Sequence, residues 1–301
     1  MLAVDPRDTT PPTTHPSTYS PISAALEALV RCASDHQLDE MTRAVTLADG
    51  STRTTLATST NHSVPQPLPS ALHSRCPALL PPASKVRGLA SEAGLAYAAA
   101  LDALVHGPGL SPLQLKLRGL DSFVQAVVQG ESLEHFHTFT RPQGGPQRPS
   151  ATPATAAASD SQATAALHMH TDIGMFIVMT AAQYFEASNP NTTPGDEGTG
   201  AGQVWRQSGE PDVAESDDVT GAGASHPPTG PPRPHPGLYL ELPSGQVVRP
   251  LFPAGSLLVM NGEAGSKWMR VSRGAPLPPA APHEVVLPTD KRGRVRAWYG
   301  R

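Results

Sequence analysis

The chain predicts a mainly β domain with flanking α-helices, on three observations. Short apolar runs rich in β-branched residues recur through residues 167–186 and 237–300, punctuated by Pro, Gly and Asn. Helical periodicity is confined to the N-terminal half. The stretches between carry no packing pattern at all. Several short strands with turn punctuation suit a β-barrel or sandwich.

Composition sets the outer bounds. A chain of 301 residues makes one large domain or two small ones. Its 38% apolar and 5% aromatic content is lean for a compact domain, whereas 34 prolines and 26 glycines are many. A folded core interrupted by disordered segments reconciles these. A net charge of −4 provides no basic face, so nucleic acid is not an expected partner. Cys32 and Cys76 lack metal-type spacing and suggest no disulfide framework, which fits a reducing compartment. The chain has no run of about 18 apolar residues, so no membrane span is expected. Residues Met1 to Asp8 lack the apolar core of a secretory signal. The Ser/Thr richness there hints at an organellar transit peptide, but Asp5 and Asp8 argue against one. A cytoplasmic location is the expectation, with an organelle as the alternative.

In chain order, residues 1–20 are Thr/Pro-rich and expected to be disordered, and 21–140 to form a helical support region with an early barrel strand. Pro21 suits a first turn, and Leu26, Leu29 and Val30 form one stripe of a helix over 22–35. Residues 50–84 are Ser/Thr/Pro-rich and read as a loop or insertion. An alanine-rich helix is predicted over 83–105, closed by Gly107-Pro108-Gly109, and another over 113–128. Leu133 to Phe139 alternates like a strand, with His135 and His137 as a second His-x-His pair. No carboxylate accompanies that pair, so local hydrogen bonding is its plainer role. Residues 141–166 read as a disordered linker, and 187–236 as a disordered insertion within a core spanning 167–301. His226 and His235 fall inside that insertion and are poor ligands, because a mobile loop does not preorganise a site.

The chemistry concentrates in Leu167-His168-Met169-His170-Thr171-Asp172, which runs into an apolar segment ending near Tyr184-Phe185-Glu186. Alternate residues of an extended chain share a face, so His168, His170 and Asp172 can point the same way. A third ligand must come from elsewhere, and His283 opens another short apolar run. Two histidines and one carboxylate form the facial triad of non-haem iron(II) oxygenases. His283 lies 111 residues after Asp172, and setting aside the 50 residues of 187–236 leaves 61, enough for the intervening strands.

The order His170-Thr171-Asp172, then His283, then an arginine resembles the iron(II)/2-oxoglutarate-dependent dioxygenases, in their isopenicillin N synthase-like, plant-type pattern. The strand pair around Pro243-Ser244-Gly245 and the turn Pro253-Ala254-Gly255 leading to Gly262-Glu263 match as well. The likeness covers about 167–186 and 237–300. It implies a double-stranded β-helix (jelly-roll) core with iron(II) on His170, Asp172 and His283. It also implies 2-oxoglutarate held through its distal carboxylate by an arginine fork. Arg296 is preferred, because Arg296-Ala297-Trp298 parallels the family's Arg-x-Ser; Arg294, on the same face, is the runner-up. Trp298 stands where that family has serine, and this departure falls in the cosubstrate pocket. Family members continue past the final strand, so the likeness further implies a chain shortened at its C-terminus.

The expected activity is hydroxylation of an unidentified substrate, with dioxygen consumed and 2-oxoglutarate decarboxylated to succinate. Two other classes compete. His168-x-His170-x-Asp172 superficially resembles the metallo-β-lactamase-type zinc hydrolase motif, but Ile173 stands where its final histidine belongs. A cupin would need a glutamate shortly after His-x-His, and Ile173 to Phe176 offer none. The other class is a non-catalytic binding module on the same β-helix.

Overall fold

The computed structural model describes residues 20–35, 38–47, 49–61, 64–105, 114–115, 119–141, 165–188, 204–208, 235–252, 255–270, 277–288 and 293–301. The first half contains α1 (Pro21–Ser34), β1 (Arg43–Thr46), β2 (Thr52–Asn61), β3 (Val64–Pro65), α2 (Leu72–Arg75), α3 (Leu80–Val105), β4 (Gln114–Leu115), α4 (Phe123–Gln129) and β5 (Glu131–Thr140). The second contains β6 (Ala165–His170), β7 (Phe176–Thr180), β8 (Gln183–Ser188), β9 (Val204–Ser208), β10 (Gly237–Glu241), β11 (Val247–Val248) and β12 (Leu257–Asn261). It closes with α5 (Ala264–Lys267), β13 (Met269–Arg270), β14 (His283–Val286) and β15 (Val295–Gly300).

The architecture is mainly β, with two principal antiparallel sheets and helices on one side. The larger sheet runs β1-β2-β5-β15-β7-β12, with β3 beside β2, β8 beside β15, and β9 beyond β8. The smaller runs β11-β10-β14-β6, and β13 pairs with β4 apart from both. Alternation along β15 assigns the two faces of the larger sheet. Val295, Ala297 and Tyr299 join Leu26, Leu29, Val86 and Phe136 in the apolar layer under α1 and α3. Trp298 turns the other way, into a second layer with Phe139, Met179 and Met260 from the larger sheet and Leu238 and Val285 from the smaller. The interior between the sheets is therefore a distinct space from the helix-covered core.

A buried polar knot ties helix layer to sheet. Arg87 of α3 pairs with Glu134 of β5 at 2.6 Å, and the Tyr299 hydroxyl donates to the other Glu134 oxygen at 2.9 Å. Glu134 is fully buried, so each of these partners offsets part of its desolvation.

Several elements match their sequence signals closely. The Ser20 hydroxyl accepts from the Ile22 amide and Pro21 opens α1, a preferred start for a helix. Leu133 to Phe139 lies within β5, and the hairpin β10–β11 turns through Gly245 at φ 81°.

Others differ. Residues 52–61, read as loop, form the ten-residue strand β2, paired along its length with β5. Its threonines are β-branched and suit a pleated surface, a preference that the Ser/Thr/Pro composition masked. The helix expected over 113–128 is only the seven-residue α4, which begins where the Ser122 hydroxyl caps the Gln125 amide. The apolar segment expected to continue the metal strand to Glu186 is three strands, β6, β7 and β8. Most of the two segments expected to be disordered, 141–166 and 187–236, lies outside the described residues. Within the second, β9 nonetheless pairs with β8 and buries Trp205.

Cys32 and Cys76 form a disulfide, their Cα atoms 6.0 Å apart, which corrects the expectation of two unpaired cysteines. Packing of α1 against the segment before α3 brings together residues 44 apart in sequence. The cysteines therefore lend no support to a reducing compartment. The helix Pro77–Val105 has the length and mean hydropathy, 1.2, of a membrane-crossing helix. Alanine, leucine and valine supply that hydropathy without an unbroken run of large apolar residues. In this fold it packs against α1, and its buried Arg87 reaches Glu134.

Candidate metal centre

The site grows from the end of β6. His170 is its last residue and sits directly opposite His283, the first residue of β14. Pairing between these strands shifts register between His283 and Val285, so an irregularity lies beside the two histidines. Their rings are 4.3 Å apart, centre to centre. Asp172 does not continue the strand as its alternation suggested. It lies in the turn after β6, and its Oδ2 is 4.0 Å from Nε2 of His283.

His170, Asp172 and His283 each offer a ligand atom within 4.8 Å of the others. Among the described residues this group is able to hold a metal ion, and His168 is not part of it. The histidines are oriented alike. Nδ1 of His170 lies 2.7 Å from the His168 carbonyl oxygen, and Nδ1 of His283 lies 3.0 Å from that of Ala281. A carbonyl only accepts, so both rings carry their proton on Nδ1 and leave Nε2 as the metal-binding lone pair. Burial holds the pKa of His283 below its ordinary value, opposed by the Ala281 carbonyl bond, so the ring is poised in the neutral, ligating form.

The loop carrying Asp172 is fastened from behind. The Glu263 amide donates to the Asp172 carbonyl at 2.8 Å, and the Thr171 hydroxyl donates to the Glu263 carboxylate at 2.5 Å. Lys267 also bonds Glu263, and the two donors hold its carboxyl below the usual carboxylate range. Gly262 permits this contact, since a Cβ there would collide with the Gly174 carbonyl and come within 2.8 Å of the Asp172 carbonyl. Gly262-Glu263 was legible as a turn signal, but its role behind the aspartate was not.

The two arginine candidates part company. Arg294 pairs with Glu186, Nε to Oε1 at 2.5 Å. Arg296 is 2% exposed and projects between the sheets, its guanidinium 5.3 Å from the centre of the Phe139 ring. The Tyr184 hydroxyl takes one of its hydrogen bonds. Its Nε and Nη1 have no acceptor among the described residues. Arg296 lines a cavity of about 320 Å³ with Met179, Gln183, Tyr184, Leu238 and Arg249. None of the three candidate ligands lines that cavity. Leu238 bounds it from β10, where its neighbour but one, Leu240, is paired with His283.

Sequence reasoning missed Arg53 and Tyr184, and it set aside His135 and His137. His135 and His137 face the same interior, with His137 stacked on Trp298 at 4.5 Å and within 2.9 Å of the Thr55 hydroxyl. The alternation of β5 carried that information. Arg53 gave no signal while its strand read as loop.

No protein-family model and no curated protein matches the chain. Among solved structures, a Shewanella oneidensis protein provisionally described as an oxygenase aligns over 95% of this chain and 78% of its own, with a TM-score of 0.41 and 11% identity. That likeness is too slight to assign this chain a fold or an activity. The class defined by fold and site is a β-rich protein with a three-residue candidate metal centre at a sheet edge.

Proposed function

We propose that the chain is an iron(II)- and 2-oxoglutarate-dependent oxygenase whose core, residues 167–301, is a double-stranded β-helix. The convergence of His170, Asp172 and His283, with both imidazoles presenting Nε2, carries this reading. Three protein ligands on one side leave coordination positions free for a chelating cosubstrate and dioxygen. When bound, the iron supplies the oxidising chemistry that couples decarboxylation of 2-oxoglutarate to hydroxylation of the prime substrate.

The residues present fit the cosubstrate as well. Nε and Nη1 of buried Arg296, without partners among the described residues, call for acceptors, and a carboxylate supplies both the oxygens and the opposite charge. Arg294, already engaged with Glu186, is the weaker candidate. A zinc hydrolase would use the same three ligands but leaves the donors of Arg296 unexplained.

The test is an anaerobic titration of iron(II) and 2-oxoglutarate, followed by oxygen and measurement of succinate. Wild-type protein binds both and releases succinate slowly without a prime substrate. His170→Ala and Asp172→Ala each abolish succinate release, and activity surviving both changes refutes the assignment. Zinc-loaded protein that hydrolyses esters or amides, with no affinity for 2-oxoglutarate, would establish the hydrolase instead.

A further inference from the structure

Residues directly opposite in an antiparallel pair share a face. Along β5 this stacks three rows across the larger sheet. Arg53, Phe139 and Arg296 form one row, Thr55, His137 and Trp298 the next, and Ala57, His135 and Gly300 the third. Phe139 and Trp298 belong to the apolar layer between the sheets, so Arg53, Thr55, His135 and His137 face that space too.

This wall is rich in hydrogen-bond donors that nothing among the described residues accepts from. Besides Arg296, Nε of Arg53 and Nε1 of Trp298 are buried without a partner. Among the described residues no carboxylate pairs with Arg53. His137 does not supply a counter-charge, being a neutral ring held between Thr55 and Trp298. Leaving a buried donor unsatisfied costs about 1–3 kcal/mol, and more for a charged group. The 2-oxoglutarate carboxylate would answer Arg296 alone. An acceptor for Nε of half-buried Arg53 is still missing, and an anion is the partner that a guanidinium binds most strongly.

The place of Arg53 relative to the metal centre is given by His135. That ring lies within the fields of both Arg53 and Asp172. Arg53 and Asp172 are therefore both neighbours of His135, which faces the interior in the row beside that of His137.

We propose that the prime substrate is a small carboxylate, its anionic group bound by Arg53 with the Trp298 indole N–H as second donor. This rests on the oxygenase reading for the word substrate, but the anion subsite itself does not need iron.

The test uses benzoate and its uncharged isostere benzamide, titrated calorimetrically into the full chain without iron or 2-oxoglutarate. Benzoate should bind, and benzamide at least about tenfold more weakly, as expected when a charge-assisted pair is lost. Arg53→Gln should weaken benzoate about tenfold, Arg53→Lys should recover part of that loss, and Arg296→Gln should change it less than about threefold. No benzoate binding by the wild type, equal binding of the two probes, or full affinity in Arg53→Gln overturns the proposal. So does a loss confined to Arg296→Gln. Unfolding of Arg53→Gln would show in its thermal melt, and Arg53→Lys then decides, since a folded lysine variant must still prefer benzoate. Succinate release by the iron-loaded wild-type protein reports separately on the oxygenase reading. Arg53-dependent benzoate binding with no succinate from the wild type would remove the oxygenase reading and keep the anion subsite.

Discussion

At the scale of single residues, the interior between the sheets holds titratable groups in unusual states. His137 is the clearest, because burial pushes its pKa down to about 2, with His135, Arg53 and Arg296 adding repulsion. In the unfolded chain the same ring titrates near 6.5. Between these values the unfolded state binds a proton that the folded state refuses, so stability falls as pH drops below about 6.5. Linkage puts the loss at about 2 kcal/mol between pH 7 and pH 5. Denaturant unfolding at both pH values should show it, and His137→Gln should remove that part of the acid sensitivity. An unchanged pH slope in the variant would mean that the ring is protonated in the folded protein. Much of this residue-level chemistry was legible: His170, Asp172 and His283 stood out by type and spacing. The partition between Arg294 and Arg296 was not, because residues two apart on a strand look equivalent until a neighbour such as Glu186 claims one.

Elements decide whether these side chains meet. The turn from His170 to Phe176 holds Asp172 only because Gly262 and Glu263, at the end of β12, press against it from behind. Gly262→Ala adds one methyl group where two carbonyl oxygens already stand. The aspartate loop must then move, and metal affinity should fall between about 10- and 100-fold, the range typical for lost support of a ligand. Iron titration measures this, and a far-ultraviolet spectrum like that of the wild type would confirm that the strands persist. Unaltered affinity would show that the Asp172 turn is positioned by other contacts. Strands were read most reliably where alternation was strong, as in β5 and β10. They were missed where threonine carried the pattern, as in β2, because a hydroxyl-rich strand packed on one face resembles a loop in composition.

For the molecule as a whole, the helices and the larger sheet form one apolar core, and a cross-link within it joins α1 to the segment before α3. Closing a loop of 44 residues restricts the unfolded chain, by an amount the chain-entropy relation puts at about 4 kcal/mol. Cys76→Ser should therefore lower the unfolding free energy by up to that amount and make it insensitive to reductant. Wild-type protein should weaken under reductant by a similar margin. Identical stability with and without reductant would remove the cross-link from the account. The pairing could not be read from two cysteines alone, since nothing local says which helix packs on which segment.

The amino-acid sequence by itself determined the β-rich class, the placing of β5, β10, β11, β12, β14 and β15, and the residue types fit to hold a metal, because hydrophobic period and ligand chemistry are local properties. Tertiary structure decided which of those residues converge, which arginine is left with unanswered donors, and that two distant cysteines join. Each of these depends on strand register and packing, which bring together residues that are far apart in the chain.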